Sequence, residues 1–165
     1  MIHLLDANVL ITAHRTYYPL ARVPEFWEWL AHQGSLGAVK VVQEIYEEFK
    51  GGSDELAGWA KQTEVEGVLR FDESVDISLV RKVITEGYAP DLADDELEEL
   101  GRDPFLAAYA LADPHNRTVV TTEVSKPSRQ RANRHLPDVC RDLGVSCCNT
   151  FEMTAALDFT TAWRP

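Results

Sequence analysis

The chain is short of cysteine, of positive charge and of long apolar runs, and each shortage excludes a class of protein. Its three cysteines, Cys140, Cys147 and Cys148, are an odd set with two adjacent members, which suits neither a disulfide framework nor the paired ligands of a zinc site. They read as buried or incidental thiols. The histidines His3, His14, His32, His115 and His135 show no zinc-like spacing, and none is assigned to catalysis. With 16 Lys and Arg against 27 Asp and Glu, the formal charge is −11. The overall field therefore repels nucleic acid, and any contact with it has to be local, metal-assisted or helped by a basic partner. No apolar stretch approaches the roughly 20 residues that cross a bilayer, and Asp6 and Asn8 interrupt the first apolar run before it can act as a secretory leader. A cytoplasmic location with no membrane association is expected. No Gly-rich phosphate loop, serine nucleophile elbow or Cys–His pairing stands out.

What is present is an ordinary globular composition, 45% hydrophobic and 26% charged over 165 residues, which fits a single domain spanning 1–165 with a substantial core. Ile2 to Leu5 is a short apolar run ending at Asp6, followed by a helix-like stretch, so the opening reads strand, acidic turn, helix. Pro24 near a helix start, with Phe26, Trp27 and Leu30, predicts an amphipathic helix whose tryptophans pack rather than bind. Leu36 to Val42 predicts a second strand, Gln43 to Lys50 a helix stopped at Gly51-Gly52, and Ser53-Asp54-Glu55-Leu56 the cap of another. Val68 to Phe71 is a further strand candidate, and Ile77, Val80, Val83 and Ile84 have helical spacing. The acidic run Asp91 to Glu99 reads as a mobile, solvated surface segment. Asp103-Pro104 predicts an N-cap followed by proline at the first helical position. Thr118 to Thr121 and Val145 to Cys148 read as strands, and Pro137 to Leu143 and Thr150 to Leu157 as helices. Strands alternating with helices imply an α/β fold, a three-layer α/β/α sandwich around a mostly parallel sheet.

Four acids fall where a strand or loop meets a helix: Asp6, Glu48, Asp103 and Glu123. Parallel strands bring their carboxyl ends to one rim, where ligands of such sheets bind, so Asp6 and Glu123 are expected to share it. Asp103 starts a helix and can point into the same crevice. Carboxylates crowded together raise one another's pKa, so such a cluster persists where a cation neutralises it. An all-oxygen donor set suits Mg²⁺ or Mn²⁺, whose usual substrates are phosphate esters. Glu44 lies one turn before Glu48 on the same helix face and Glu47 is adjacent, so either can replace it if the register differs. The segment Lys126 to His135 carries Lys126, Arg129, Arg131 and Arg134 without an acid, which makes these four the candidate RNA-phosphate contacts.

Leu5-Asp6-Ala7-Asn8-Val9-Leu10-Ile11, Ile45-Tyr46-Glu47-Glu48-Phe49, Asp103-Pro104-Phe105-Leu106-Ala107-Ala108-Tyr109-Ala110 and Val119-Val120-Thr121-Thr122-Glu123 resemble, in order, the four acidic motifs of PIN-domain nucleases. The resemblance is closest to a little-characterised PIN-like family marked by Tyr17-Tyr18-Pro19, Phe26-Trp27-Glu28-Trp29-Leu30, Asp54-Glu55-Leu56 before Trp59, and Leu136-Pro137-Asp138-Val139-Cys140. It implies that Asp6, Glu48, Asp103 and Glu123 hold one or two Mg²⁺ or Mn²⁺ ions, with Asn8 and Thr121 supporting them through hydrogen bonds. Glu123 stands where PIN domains more often have Asp. The resemblance further implies an endoribonuclease, the toxin of a toxin–antitoxin pair, blocked by a small protein antitoxin, with a homodimer as a further expectation. A phosphatase with an aspartyl nucleophile is the first rival, but it needs a second Asp two positions after the first, where this chain has Asn8. A PIN-like binding scaffold without activity is the second.

Overall fold

The computed structural model describes residues 1–164. Four short parallel strands, β1 (Ile2–Leu5), β2 (Val39–Lys40), β3 (Arg117–Val120) and β4 (Ser146–Cys148), form one sheet in the order β2-β1-β3-β4. Leu4 and Leu5 of β1 are fully covered, as are Val119 and Val120 of β3, as expected of central strands sandwiched between helices. The register pairs Leu5 with Val120 and Val120 with Cys148, so three strands end level with one another. The chain leaves β1 toward β2 on one side and leaves β3 toward β4 on the other. The β1–β3 junction is therefore the point where the winding reverses, and a crevice opens outside the strand ends there.

Helices cover both sheet faces, giving the three-layer α/β/α architecture. α1 (Ala7–Thr12) runs on through a π-helical turn to Tyr17, and α2 (Pro24–Ser35) buries Phe26, Trp27, Trp29 and Leu30. α3 (Gln43–Lys50), α4 (Glu55–Ala60) and α5 (Thr63–Leu69) follow β2. α6 (Ile77–Lys82) also ends in a π-helical turn, reaching Tyr88. α7 (Asp94–Glu99), α8 (Asp103–Leu111), α9 (Leu136–Asp142) and α10 (Thr150–Ala156) complete the chain. α8 is buried almost all round, from Pro104 and Leu106 to Ala110, so it is the central helix and needs no polar stripe. At the far end of β3 from the crevice, the buried Arg117 guanidinium donates to both Glu73 oxygens at 2.8 and 2.7 Å and to the Tyr109 carbonyl at 2.8 Å. That pairing offsets the cost of a charge in the core.

Three sequence expectations are corrected. The second strand is confined to Val39–Lys40. The Val68–Phe71 strand is instead the end of α5, after which Arg70 makes one isolated parallel bridge to Val41. The acidic run is no loose loop: Asp94 to Glu99 form α7, which buries none of its residues and is held by Arg131, whose guanidinium donates to both Glu96 oxygens and to Asp91 at 2.8 Å. Among the described residues no helix is long and apolar enough to cross a membrane.

α2 crosses α5 at Gly34, where an added Cβ would meet the Val68 carbonyl oxygen at 2.8 Å. Backbone cannot swing aside as a side chain does, so the overlap outweighs alanine's better helix propensity, worth about 1 kcal/mol. Gly34→Ala is expected to lower stability by about 1–3 kcal/mol in urea or thermal unfolding.

Candidate acidic site

Asp6 follows β1 directly and its amide still pairs with Val120 at 2.9 Å, so the sheet fixes its position. Its carboxylate caps α1, accepting the Asn8 amide at 3.4 Å and the Asn8 side chain at 3.5 Å. The shorter contact comes from across the sheet: Thr121 Oγ1 donates to Asp6 Oδ2 at 2.9 Å. The same hydroxyl accepts the Glu123 amide at 3.2 Å. One threonine thus joins the first acid to the backbone of the fourth. Burial raises the Asp6 pKa, the Thr121 and Asn8 hydrogen bonds pull it back, and the charge of Glu123 raises it further; the net shift is upward.

Asp103 lies one position further into its helix than its sequence context suggests. Arg102 is the cap residue and Asp103 the first helical residue, with Pro104 second. Its carboxyl is half-buried and takes no hydrogen bond among the described residues. Burial, followed by the charges of Asp6, Glu123 and Glu48, pushes its pKa up to about 8. All four sequence-selected acids thus act on one electrostatic neighbourhood.

Their individual situations differ. Glu123 Oε2 accepts the Leu136 amide at 2.8 Å, so it already caps the start of α9, and His135 Nδ1 lies 3.9 Å from the same oxygen. Glu48 is exposed and lines a cleft of ≈ 210 Å³ with Ala7, Ile11 and Arg15 of the first helix. The other acids of α3 go elsewhere: Glu47 sits 3.6 Å from Arg70, and Glu44 lies against the Tyr109 hydroxyl with one oxygen buried and unpartnered among the described residues. As the side chains stand, no three His, Cys, Asp or Glu among the described residues converge tightly enough to hold a metal ion. The site is an array of nearby carboxylates, not a closed ligand cage.

The basic segment divides in two. Arg131 is committed to Asp91 and Glu96, holding the Glu96 pKa down at about 2, and Arg134 is committed to the Gly87 carbonyl and Asp142. Lys126 and Arg129 are exposed, with no ion pair among the described residues, as is Arg15 beside Glu48. Asp138 moulds the start of this segment by accepting the Ser125 hydroxyl at 2.5 Å and the Lys126 amide at 2.7 Å. Burial opposes its charge, but these bonds and Arg141 hold its carboxyl below the usual range.

Tyr88 escaped the sequence reading. Its hydroxyl is buried without a hydrogen-bond partner among the described residues, and burial followed by the charges of Asp103, Cys140 and Glu123 drives its pKa upward. It ends the second π-helical turn, a feature that helical spacing alone does not signal and that recurs at functional positions.

Comparison with known proteins identifies a family. The chain belongs to the family described as a domain of unknown function, DUF4411, whose model matches residues 3–161. No curated protein and no solved structure matches it.

Two predictions follow from the carboxyl and the hydroxyl. With a pKa of about 8 in the folded state, Asp103 keeps a proton that the unfolded chain releases near pH 4, so its contribution to stability is present below about pH 4 and is lost as pH rises toward 8. In chelator, Asp103→Asn should therefore be more stable than wild type at about pH 8, by up to a few kcal/mol, with the gap closing toward about pH 4. Tyr88→Phe removes an unsatisfied buried hydroxyl and should leave stability in chelator unchanged or raise it by about 1 kcal/mol. Denaturant unfolding measures both.

Proposed function

We propose that this chain is a metal-dependent endoribonuclease acting on RNA phosphodiesters, with Asp6, Glu48, Asp103 and Glu123 holding Mg²⁺ or Mn²⁺. The observation that carries the reading is Asp103: a half-buried carboxyl without a capping bond, pushed to about 8 by burial and by three neighbouring acids. A folded chain gains nothing from such an arrangement unless a cation offsets the repulsion. The donor chemistry fits, being all oxygen. The resemblance of the four motifs to PIN-domain nucleases supports the same assignment, as does their place at the winding reversal of a parallel sheet.

When bound, the metal supplies the positive charge that polarises the phosphodiester and makes a water acidic enough to attack at neutral pH. The chain's own groups do the rest. Thr121 and Asn8 hold Asp6 in one orientation. Asp103 gives up its proton as the cation enters, so affinity should rise with pH. Lys126, Arg129 and Arg15 bind backbone phosphates and release their counterions. No side chain serves as a covalent nucleophile. A cytoplasmic toxin role follows from the resemblance: a small antitoxin would cover the crevice, its basic side chains complementing the acids, and the chain would pair as a homodimer.

A second reading, a scaffold without activity, is favoured by one observation: Glu123 Oε2 is already engaged by the Leu136 amide, and no three ligands converge. Calorimetric titration with Mn²⁺ separates the two, since a scaffold shows no saturable binding near neutral pH. The decisive assay is RNA cleavage with Mg²⁺ or Mn²⁺ by wild type and Asp6→Asn. Cleavage is expected to fall at least a hundredfold in the variant and to stop in chelator. Equal cleavage by both proteins, or cleavage that survives chelation, rules the nuclease out.

A further inference from the structure

A second concavity lies beside the acidic crevice, over the ends of β3 and β4. It is a cleft of ≈ 290 Å³ lined by Thr12, Tyr17, Thr122, Asn149, Thr150 and Phe151. Thr122 places it next to the acids, because that residue sits between Thr121, which holds Asp6, and Glu123. The lining carries no charged side chain among the described residues. Phosphates and cations therefore have no counter-charge in it. Two aromatic rings, Tyr17 and Phe151, stand 5.1 Å apart at 47°. Phe151 is 57% exposed, so much of its ring is open to a ligand in the cleft. Thr150 is only 2% exposed, and its hydroxyl has no hydrogen-bond partner among the described residues. A buried hydroxyl left unpaired costs free energy, which a ligand with a polar edge would recover once a small side-chain rotation turns the Thr150 oxygen into the cleft.

We propose that this cleft is a nucleobase subsite, taking one base of a single-stranded RNA whose backbone passes over the acidic crevice. The inference rests on the ribonuclease reading for the neighbouring phosphate, and the cleft supplies the rest of the argument. Its volume, near the low end of the roughly 300–1,000 Å³ of small-molecule pockets, suits a single base and not a longer ligand. The occupant has to be neutral, flat enough to lie against Tyr17 and Phe151, and lined at its edge with hydrogen-bonding groups for the threonines and Asn149. A nucleobase has all three properties. An apolar peptide side chain lacks the polar edge and would leave the Thr150 hydroxyl unpaired. Stacking is also the form of RNA contact open to a chain of charge −11, because it does not depend on the overall field.

The test measures binding in chelator, where cleavage plays no part. Fluorescence anisotropy of a labelled single-stranded oligouridylate is recorded over a salt series for wild type, Phe151→Ala, Thr150→Val and Lys126→Ala. Phe151→Ala should weaken binding roughly tenfold at every salt concentration, and Thr150→Val should weaken it less. Lys126→Ala should instead flatten the salt dependence. Photo-cross-linking of wild type to the same oligomer carrying iodouracil should place the adduct on Tyr17 or Phe151, which keeps the test valid if a variant folds poorly. Binding by Phe151→Ala as tight as wild type, an adduct elsewhere, or no RNA binding by wild type overturns the proposal. The two readings fail separately. Phe151-dependent binding without metal-dependent cleavage leaves the subsite and removes the nuclease, and cleavage with Phe151-independent binding does the reverse.

Discussion

The mutual repulsion of carboxylates gathered at one rim of a parallel sheet is the constraint around which this molecule is built. Asp6, Asp103, Glu48 and Glu123 come from four separate stretches of chain, yet burial, reinforced by the charges of the other three, moves the Asp103 pKa to about 8. The fold accepts this cost because its strands are central and apolar, with Leu4, Leu5, Val119 and Val120 fully covered. Hydrophobic burial of that kind supplies a surplus from which a few kcal/mol of local strain can be drawn. The acids themselves sit at strand and helix ends, where backbone amides and a threonine hydroxyl give partial compensation.

Thr121 is the structural link in that compensation. Its hydroxyl donates to Asp6 and accepts from the Glu123 amide, using both of its hydrogen-bonding capacities across the β1–β3 junction. It thereby fixes the one carboxylate of the four that is almost fully buried, while Glu123 is steadied separately by the Leu136 amide. Among the described residues Asp103 has no such support. The array is therefore graded, from a firmly held acid to an unheld one, and the unheld acid carries the largest perturbation. Under the proposed metal-binding reading, that gradation would supply one rigid anchor and one group whose proton a cation could displace.

How far the sequence revealed this depends on the range of the interaction. The four parallel strands and the positions of Asp6 and Glu123 were legible because short apolar runs ending in polar residues have few alternatives in an α/β pattern. The choice among Glu44, Glu47 and Glu48 was not, since two of them share a helix face and the third is adjacent. What lies near each differs: Tyr109 by Glu44, Arg70 by Glu47, and, for Glu48, the charge it adds to the field at Asp103. The basic segment read as one uniform loop, but Arg131 and Arg134 find partners 35 and 47 residues away, pairings that composition cannot disclose. Tyr17 and Tyr88 were missed as candidate site residues for a local reason. Each ends a π-helical turn, where the extra residue shifts the face a side chain presents and breaks the 3.6-residue spacing on which helical reading relies.

Those two wide turns have a common effect on the rim. The first brings Tyr17 against Phe151, beside the uncharged cleft at the ends of β3 and β4. The second leaves the Tyr88 hydroxyl in the field of Asp103 and Glu123, without a partner among the described residues. An ordinary α-helical continuation would have rotated both rings by about 100° per residue of offset. The acids alone would form a charged crevice able to attract a cation. With the aromatic cleft adjoining it, the rim presents two chemically opposite surfaces in sequence, one anionic and one neutral and flat. With a cation neutralising the acids, as proposed, a ligand that alternates anionic and planar groups along its length would match that order, and a polynucleotide strand is built in that way.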